Sequence, residues 1–460
     1  MPAVSAPLSV IILAAGQGTR MRSALPKVLQ PLASRPLLAH VIATARALEA
    51  RTIHVVYGHG GEAVPAAFHG ESDLVWVLQA EQKGTGHAVQ QAIGKVPDGD
   101  AVLVLYGDVP LVSVATLERL LEAARGGALA VLTAEFDDPS GYGRIVRGPA
   151  RELQRVVEHR DAAPAERALR EVNTGLLAAP AKDLKRWVAG LEADNAQREL
   201  YLTDCVALAV AERRPVAGIA AASADEVHGV NDRAQLARAE AILRARGAAE
   251  QLAAGVTLAD PLRFDQRGTL SCGRDVYIDV GCVFEGAVQL GDRVRVGPYS
   301  VIKDSAIGAD TEVKAYTLID QARVGKDCRI GPYARIRPDS VLGAGAHVGN
   351  FVEVKKSELG AGAKVNHLAY VGDASIGAEV NVGAGVITCN YDGVAKHRTV
   401  IGDGAFIGSN AALVAPVTIG ANATIGAGSV ITRDAPAGEL TVTRAKQTTV
   451  PGWTRPSNQK

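Results

Sequence analysis

The sequence feature that most constrains the fold is a series of aliphatic residues that recur at every sixth position near the C-terminus. The series is unbroken through Ile401, Ile407, Leu413, Ile419, Ile425 and Ile431. The same spacing occurs upstream at Val324, Ile330, Ile336, Leu342, Val348 and Val354. A period of six matches neither the 3.6 residues of an α-helical turn nor the alternation of an isolated strand. It predicts a parallel β-helix, in which each short strand contributes one inward aliphatic side chain before a turn.

Interruptions of this repeat indicate where the coil is adapted. The spacing slips by one residue between Ile302 and Ile307, and again between Val354 and Leu359. Such slips predict shortened corners within a continuing coil. The segment 389–398 (CNYDGVAKHR) breaks the period more strongly. It predicts a loop that projects from the coil, and insertions of this kind tend to gather on the binding face of repeat proteins.

Composition limits the class of protein. A chain of 460 residues predicts two or three domains. Lys plus Arg and Asp plus Glu number 49 each, so neither a nucleic-acid partner nor an anionic membrane is indicated. The five cysteines are scattered without a CxxC pair, which predicts reduced thiols. No secretion signal and no run of about 18 apolar residues is recognisable. The expectation is a soluble cytoplasmic protein.

The N-terminal half alternates short apolar runs with amphipathic segments. The apolar runs occupy residues 9–13, 53–57, 74–78, 101–106 and 128–132. Amphipathic segments lie between them, for example at residues 36–50 and 86–94. This alternation predicts a parallel, doubly wound α/β sheet. Ligands of such sheets bind beyond the carboxyl ends of the strands. The two strongest polar motifs follow Leu13 and Leu105, which places both at strand ends.

These patterns divide the chain into three parts. We assign residues 1–232 to the α/β domain and 254–460 to the β-helix domain. Residues 233–253 are rich in Ala, Arg, Leu and Glu, with apolar residues at helical spacing, and predict one long helix between the domains. Residues 254–270 are expected to be irregular, because the six-residue spacing becomes legible only at about Ile278.

The motif after the first apolar run combines glycines with cations. LAAGQGTRM (13–21) is followed by LPK (25–27), so that Arg20 and Lys27 lie near two glycines. Small residues allow the backbone to approach a nucleotide, and backbone N–H groups can bind phosphate oxygens. The two glycines alone would fit an ordinary strand-to-helix turn equally well. The P-loop pattern GxxxxGK[ST] is absent, which disfavours an ordinary ATPase.

The full string resembles the signature of sugar-nucleotide pyrophosphorylases, and further matching segments follow in the order of that family. They are QAEQKGTGHA (79–88), YGD (106–108), GYGR (141–144), Glu158 in VVEH, NTG (173–175) and Asn231 in GVN. Taken singly, these residues have plainer interpretations. Asp108 could cap a helix, Asn173 could belong to a turn, and Glu158 could be a solvated charge.

The resemblance implies nucleotidyl transfer from UTP to a sugar 1-phosphate. It implies that Arg20 and Lys27 stabilise the phosphates catalytically, and that Asp108 and Asn231 bind Mg²⁺. The nucleotide- and sugar-binding residues that it implies are Leu13, Ala14, Ala15, Gly16, Lys27, Gln79, Gly84, Thr85, Tyr106, Gly107, Asp108, Gly143, Glu158, Asn173 and Asn231.

The six-residue repeat alone is compatible with a trimerisation module, a regulatory scaffold or an acyltransferase. The polar residues that break the repeat favour an acyltransferase. His367 follows the inward Val365 by two positions, and a neutral imidazole can accept a proton from an attacking amine. A lone histidine on a coil is more often structural. Here Lys364 and Tyr370 flank it, and the long polar loop follows.

With these residues the similarity extends over the whole chain. The chain resembles the bacterial family that combines N-acetylglucosamine-1-phosphate uridyltransferase and glucosamine-1-phosphate acetyltransferase. The stretches that carry the match in the C-terminal half are VGNFVEVKK (348–356), HLAYVGDA (367–374), NVGAGVITCNYDG (381–393) and FIGSNAALVAPV (406–417). Asn366 and Ala369 depart from the pattern, since glycine and threonine are expected at these positions from relatives.

This resemblance implies that His367 is the general base for acetyl transfer from acetyl-CoA to glucosamine 1-phosphate. N-acetylglucosamine 1-phosphate would then react with UTP. The implied amino-sugar phosphate ligands are Arg337, Lys355, Tyr370 and Asn381. The implied acetyl-CoA ligands are Ala384, Asn390, Tyr391, Ser409, Ala427 and Arg444. The family also implies a homotrimer, with each acetyltransferase site shared between neighbouring subunits.

The prediction is therefore an α/β, Rossmann-like nucleotidyltransferase domain followed by an all-β, left-handed parallel β-helix of hexapeptide repeats. The leading hypothesis is one enzyme with two active sites for UDP-N-acetylglucosamine biosynthesis. An alternative is a monofunctional sugar-1-phosphate nucleotidyltransferase whose β-helix only trimerises it. A third hypothesis, a non-enzymatic solenoid, predicts uninterrupted coils, and the loop at 389–398 counts against it.

Overall fold

The structure is a computed structural model that describes residues 6–455. Its contacts divide the chain into two units, Met1–Leu243 (unit 1) and Arg244–Lys460 (unit 2). The long helix predicted for residues 233–253 is present as Arg233–Ala253. The domain limits at residues 232 and 254 stay a prediction. No helix among residues 6–455 is long and apolar enough to cross a membrane. All five cysteines are free thiols, as predicted.

Unit 1 is built from strands and helices that alternate along most of its length. Its strands are β1 (Leu8–Leu13), β2 (Pro31–Leu32), β3 (Arg35–Pro36), β4 (Thr52–Tyr57), β5 (Leu74–Leu78), β6 (Ala101–Tyr106), β7 (Leu129–Glu135), β8 (Gly143–Arg147), β9 (Leu153–Val157), β10 (Glu171–Pro180) and β11 (Val216–Ala220). Its α-helices are α1 (Leu37–Ala47), α2 (Ala63–Ala66), α3 (Thr85–Ile93), α4 (Val114–Arg125), α5 (Pro164–Arg167), α6 (Ala181–Ala189) and α7 (Asp204–Ala211). The helix α8 (Arg233–Ala253) begins in unit 1 and ends in unit 2. Short 3₁₀ helices occupy Thr19–Met21, Lys27–Leu29 and Ala224–Glu226.

The main sheet of unit 1 is mixed, so the prediction of a parallel sheet was wrong for β10 and for the pair β8–β9 that joins it. The order is β11-β7-β10-β6-β1-β4-β5, and β10 runs antiparallel to both β6 and β7. A parallel connection needs a crossover of a dozen or more residues, usually a helix. Here the chain after β7 forms the antiparallel pair β8–β9 and the short α5 instead. It therefore enters β10 from the opposite end.

The central strand β1 is buried on both faces because its apolar residues alternate between two cores. Val10 and Ile12 belong to one hydrophobic cluster, and Ile11 and Leu13 belong to the cluster on the other face. This is the pattern expected for an interior strand of an α/β sheet. It fixes the carboxyl end of β1 in the middle of the sheet edge where the predicted motif begins.

Unit 2 is a parallel coil with three faces. Face A consists of Thr257–Leu258, Tyr277–Ile278, Arg295–Val296, Glu312–Val313, Arg329–Ile330, His347–Asn350, Lys364–His367, Asn381–Val382, Phe406–Ile407, Thr424–Ile425 and Leu440–Thr441. Face B contains Val301–Lys303, Leu318–Asp320, Arg335–Ile336, Glu353–Lys355, Tyr370–Gly372, Ile387–Cys389, Ala412–Val414 and Val430–Ile431. Face C contains Ala306–Ile307, Ala322–Val324, Ser340–Leu342, Glu358–Leu359, Ala374–Ile376, Thr399–Ile401 and Val417–Ile419. The longer strands Asp265–Cys272 and Val283–Leu290 begin the two joined faces B and C.

The prediction that residues 254–270 are irregular was wrong. Thr257–Leu258 already pairs with Tyr277–Ile278, and Asp265–Cys272 pairs along its whole length with Val283–Leu290. The six-residue series is not legible in the first coil because Gln266 and Cys272, rather than aliphatic residues, pair with the inward Phe284 and Leu290 of the next coil.

The inward positions of the coil are the predicted ladder, and every member from Val324 to Val354 and from Ile401 to Ile431 is buried. The two predicted slips are corners between faces B and C. At these corners Ser305 and Ser357 are buried, and their hydroxyls donate to the carbonyls of Lys303 at 2.5 Å and Lys355 at 2.8 Å. A small buried residue therefore occupies the corner in both cases.

An exposed column of aromatic rings lies at the corner between faces A and B. Its members are Tyr299, Tyr316, Tyr333 and Phe351, each with φ of 56°. Successive ring centroids lie 5.3, 5.0 and 5.3 Å apart, with interplanar angles of 16° or less. We call this set the aromatic column.

Candidate active sites

In unit 1 the segment after β1 is held by the strands on both sides. The Gly107 N–H donates to Leu13 O at 2.9 Å, and the Ala14 N–H donates to Val56 O at 2.8 Å. A Cβ at Gly107 would lie 3.3 Å from the Cβ of Ala14. The two predicted motifs, after β1 and after β6, are therefore in direct contact.

Lys27 joins these motifs to a third one. Its Nζ donates to the carboxylate of Asp108 in a short ion pair and to Asn231 Oδ1 at 3.1 Å. The side chains of Lys27 and Asp108 are only 11% and 15% exposed. The backbone at Gly18 has φ of 61°, and a Cβ there would lie 2.5 Å from the Cβ of Lys27. Glycine at this turn is thus what allows Lys27 to approach.

A cavity of about 310 Å³ lies beside this cluster. The predicted residues that line it are Leu13, Ala14, Ala15, Gly16, Lys27, Gln79, Gly84, Thr85, Tyr106 and Asp108. Gln82 and Glu199 also line the cavity, although the sequence analysis did not single them out. Gln82 Nε2 donates to Ala15 O at 2.6 Å. A signal for Gln82 existed, since it lies inside the matching segment 79–88.

One wall of this cavity is the turn from β5 into α3. Gln79 is buried, its Nε2 donates to Gly84 O at 3.2 Å, and the same atom lies 3.0 Å from His87 Nδ1. Gly84 has φ of 100°, and a Cβ on it would lie 2.7 Å from Leu200 O. Glycine is therefore required at residue 84, where it packs the turn closely and keeps the Gln79 amide in place.

A second cavity, of about 300 Å³, shares Tyr106 and Asp108 with the first. Arg20 and Asn231 line it, together with Tyr142. Burial raises the pKa of Tyr106, and so does the negative charge of Glu158, which keeps the Tyr106 hydroxyl neutral. Asp108 thus lies where two ligands in adjacent cavities would meet.

Four predicted residues, Gly107, Gly143, Glu158 and Asn173, line neither of these two cavities. Gly143 and Glu158 lie together, since a Cβ on the glycine would be 3.3 Å from Glu158 Oε1. Burial raises the pKa of Glu158, although its oxygen accepts a hydrogen bond from the Thr203 hydroxyl at 3.0 Å. Asn173 Oδ1 accepts from the Gly175 N–H at 3.2 Å, in the turn-forming manner of its plainer interpretation.

In unit 2 the predicted base lies at the end of a face A strand. His367 is exposed, and its Nδ1 lies 3.1 Å from Asn350 Oδ1 on the preceding coil. Asn381 is on face A of the next coil, where it pairs with Lys364. His367 therefore shares its face with one predicted amino-sugar ligand, while the other three lie on face B.

The face B ligands lie on adjacent coils. Arg337 Nη1 donates to Glu353 Oε1 at 2.8 Å, and the strand that ends at Lys355 pairs with the strand that begins at Tyr370. Lys396, from the projecting loop, lies near Lys355, and the neighbouring Lys355 amine lowers the pKa of Lys396. Two neighbouring cationic side chains favour binding of an anion. Lys396 was not among the predicted residues, although a cation in the loop that breaks the repeat was a signal.

The predicted loop at 389–398 is confirmed between the strands Ile387–Cys389 and Thr399–Ile401. Asn390 is buried at its base, and its amide donates to the carboxylate of Asp373. Tyr391 is 60% exposed, and its hydroxyl donates to Gly393 O at 2.5 Å. Only the first of the two predicted loop ligands is thus anchored to the coil.

Three of the predicted acetyl-CoA ligands occupy equivalent positions on successive coils. Ala384, Ser409 and Ala427 each follow a buried face A residue by two positions. The carbonyls of Ala384 and Ser409 each accept an N–H from the next coil at 2.8 Å. The carbonyl of Ala427 accepts from Arg444 Nη1 at 3.1 Å. Together these residues form a continuous line along the coil.

A divalent cation fits the oxygens of the Lys27 cluster. Among residues 6–455 no group of three or more His, Cys, Asp or Glu could hold a metal alone. Mg²⁺, however, is usually held by one or two protein oxygens together with water and substrate phosphates. Asp108 and Asn231 supply a carboxylate and an amide oxygen that already converge on a positive charge.

Comparisons with known proteins agree with the division of the chain into unit 1 and unit 2. A model of the MobA-like NTP transferase domain matches residues 10–184, and one of the bacterial transferase hexapeptide (six repeats) matches residues 398–433. A model of the GMPPB C-terminal domain matches residues 267–359. The chain is 58% identical to the bifunctional protein GlmU of Bordetella parapertussis, with 98% of this chain and 99% of that protein covered. It is 56% identical to the protein of the same name from Aromatoleum aromaticum, with the same coverage.

Proposed function

Because this chain belongs to the GlmU family of bifunctional proteins, we propose that its two units carry two consecutive transfers to one amino sugar. Unit 2 transfers acetyl from acetyl-CoA to glucosamine 1-phosphate. Unit 1 then transfers uridylyl from UTP to N-acetylglucosamine 1-phosphate and releases pyrophosphate. The chain is thus a bifunctional transferase of UDP-N-acetylglucosamine biosynthesis. Its catalytic domains are residues 1–232 and 254–460, joined by the helix 233–253.

The observation that carries the uridylyl transfer is the convergence of Lys27, Asp108 and Asn231 beside two adjacent cavities. An oxygen of the sugar phosphate attacks the α-phosphorus of UTP. A new P–O bond forms, and the bond to the departing pyrophosphate breaks. Lys27 and Arg20 stabilise the negative charge on the phosphates, so that positioning and electrostatics supply the catalysis.

Asp108 and Asn231 would hold Mg²⁺ through one carboxylate and one amide oxygen. When bound, this ion neutralises charge on the phosphates. The first cavity supports a nucleotide bound by Leu13, Ala14, Ala15, Gly16, Gln79, Gly84, Thr85 and Tyr106. Gly107 is proposed as a further nucleotide-binding residue because its N–H donates to Leu13 O at the edge of this cavity. The contact between Gly143 and Glu158 supports a sugar subsite formed by Gly143, Glu158 and Asn173.

In acetyl transfer the amino nitrogen of the sugar attacks the thioester carbon of acetyl-CoA. The C–N bond forms and the C–S bond breaks. His367 accepts the proton that the nitrogen loses, and the departing thiolate takes up a proton. Arg337, Lys355, Tyr370 and Asn381 bind the amino-sugar phosphate, and the pair Lys355–Lys396 supports an anion there. Acetyl-CoA is bound by Ala384, Asn390, Tyr391, Ser409, Ala427 and Arg444.

We also propose that the chain is a cytoplasmic homotrimer formed through unit 2. The rings of the aromatic column are 43–56% exposed, which supports burial of apolar surface between copies. Five free thiols support a reducing compartment. Light scattering should give a mass near three times the chain's 47.8 kDa. A mass of one chain at micromolar concentration would contradict the trimer.

The two activities can be separated by reciprocal variants of the full chain. Lys27→Ala should lower kcat/KM for uridylyl transfer by about 10²–10³-fold, as loss of a charge-stabilising group does. It should leave CoA release from acetyl-CoA and glucosamine 1-phosphate unchanged. His367→Ala should lower CoA release by about 10²–10⁴-fold and leave uridylyl transfer unchanged.

Matched controls are Lys182→Ala and His347→Ala, which remove an exposed lysine from unit 1 and another face A histidine from unit 2. Both should retain both activities. If His367→Ala released CoA at the wild-type rate, His367 would be removed from the mechanism. A wild-type chain that never released CoA would instead favour a monofunctional nucleotidyltransferase.

A further inference from the structure

Asn350 is the one side chain in hydrogen-bond contact with the His367 ring among residues 6–455. The two residues are register partners in the parallel pair His347–Asn350 and Lys364–His367. The backbone fixes Asn350 as well, since its carbonyl accepts from the Leu368 N–H at 3.1 Å. The coil therefore sets the distance of 3.1 Å between Asn350 Oδ1 and His367 Nδ1.

The chemistry of this contact determines which ring nitrogen carries the proton. An amide oxygen can only accept a hydrogen bond. The neutral ring must therefore donate from Nδ1–H, which leaves the lone pair on Nε2. A base that must take a proton from an amine needs that lone pair on the nitrogen facing the substrate.

We propose that Asn350 is a positioning residue for acetyl transfer, which fixes the tautomer and orientation of the His367 ring. This inference rests on the proposed acetyl transfer. The amine proton passes to His367 Nε2 while Nδ1–H stays bound to Asn350 Oδ1. Asn350 itself neither gains nor loses a proton. The amide thus takes the place that a carboxylate has beside many catalytic histidines.

The opposing possibility is that Asn350 serves only the coil, since it precedes Phe351 of the aromatic column. A purely structural residue would change stability when replaced, but not the pH profile of the reaction. The nearest charged groups in register on face A are His347 and Lys364. They remain in every variant, so a changed profile would report on residue 350 itself.

The test compares Asn350→Leu, which has no acceptor, with Asn350→Asp, which keeps the acceptor in nearly the same shape. Asn350→Leu should lower kcat for CoA release by about 10–100-fold, the usual effect of losing a group that orients a histidine, with KM changed little. Asn350→Asp should recover much of that loss. Its carboxylate favours the protonated ring, so the acid limb of its pH profile should move to higher pH.

A second readout does not depend on catalysis. Diethyl pyrocarbonate modifies the neutral imidazole, and mass spectrometry can follow His367 alone at each pH. The Asn350→Asp shift should appear here too, while the control Asn422→Gly, on a distant coil, should match the wild type. Thermal melts of all variants report their folding.

Wild-type kcat and pH profiles in both Asn350 variants would overturn the proposal. So would a decrease in both variants that is matched by loss of stability, with an unmoved modification profile. If the wild-type chain released no CoA, the proposed function would fail by itself. The modification profile would still decide whether Asn350 governs the His367 ring.

Discussion

At Gly18 the backbone φ is 61°, and a Cβ would lie 2.5 Å from that of Lys27. Gly18→Ala should therefore displace Lys27 from Asp108 as well as strain the turn by about 1–2 kcal/mol. We expect kcat/KM for uridylyl transfer to fall by about tenfold or more, since misplacement of a positioning group by about 1 Å is costly. CoA release should be unaffected.

Gly61 provides the matched control, because it has φ of 52° and a Cβ there would meet nothing within 4 Å. Gly61→Ala should introduce a similar strain energy, seen as a similar decrease in melting temperature, and should leave uridylyl transfer intact. Equal losses of activity in the two variants would show that Lys27 is not the group affected.

His54 on β4 predicts a pH dependence of unit 1. The side chain is 3% exposed, neither ring nitrogen has a hydrogen-bond partner within the described chain, and burial lowers the pKa of His54 from its ordinary 6.5. Below about pH 6.5 the unfolded chain thus binds more protons than the folded one. The folded state is therefore not penalised by His54 above that pH, where the ring is neutral in both states. As the pH falls below it, the unfolded chain takes up a proton more readily and unit 1 loses stability.

His54→Leu should accordingly reduce the difference between the melting temperatures at pH 7.5 and pH 5.0. Tryptophan fluorescence is a suitable measurement, because the buried Trp187 and the half-buried Trp76 both lie in unit 1. The exposed His69→Leu should behave like the wild type. A His54→Leu variant that loses stability with acid as steeply as the wild type would exclude this residue as the cause.

At the residue scale, matching motifs identified Lys27, Asp108 and Asn231, which the structure joins by hydrogen bonds. Their roles stay a prediction. Lys396 and a partner for His367 were not predicted from the sequence. Lys396 approaches Lys355 only because of how the loop folds back. Asn350 meets His367 only because of the register between coils. The cation in the loop was a signal for Lys396 itself, but its contact with Lys355 and the contact of Asn350 with His367 have no local sequence signature.

Among the elements, the strands of the β-helix have inward side chains whose contribution to stability can be tested by single substitutions. In the face C strand Thr399–Ile401, Ile401 is 3% exposed and its neighbour Val400 is 39% exposed. Ile401→Ala should destabilise unit 2 by about 2–5 kcal/mol, because it removes buried methyl groups and leaves a cavity. Denaturant unfolding followed by circular dichroism measures this change.

Val400→Ala is the control in the same strand. It should change the free energy of unfolding by no more than about 0.5 kcal/mol, as surface substitutions do. A cost equal to that of Ile401→Ala would mean that the outward position is also buried, for example between copies of the chain.

For the elements of unit 1, the sequence predicted the positions of the strands better than it predicted their directions. The apolar runs located β1, β4, β5 and β6 closely, because an interior strand must be apolar on both faces. The direction of β10 could not be predicted, since it depends on whether the preceding segment forms a helix or a hairpin. The first coil was not predicted because Gln266 and Cys272 occupy the positions where later coils have inward apolar residues of the ladder.

For the molecule as a whole, the two units have separate hydrophobic cores, and the core of the coil begins at Ala248. Each ligand should therefore stabilise one calorimetric transition. At about a hundredfold excess over Kd a ligand adds about 2.7 kcal/mol, or roughly 5–10 °C for a unit of this size. UTP with Mg²⁺ should raise one transition and acetyl-CoA the other. A single transition that both ligands raise equally would contradict this independence.

The aromatic column gives the coil an optical property. Three tyrosine rings stacked 5.0–5.3 Å apart and within 11° of parallel are close enough for their electronic transitions to couple. Their near-ultraviolet circular dichroism should then exceed the sum of three isolated tyrosines. Tyr316→Leu interrupts the stack at its middle ring and should remove more signal than one chromophore carries. The near-ultraviolet circular dichroism of the aromatic column therefore reports the spacing between coils without an added label.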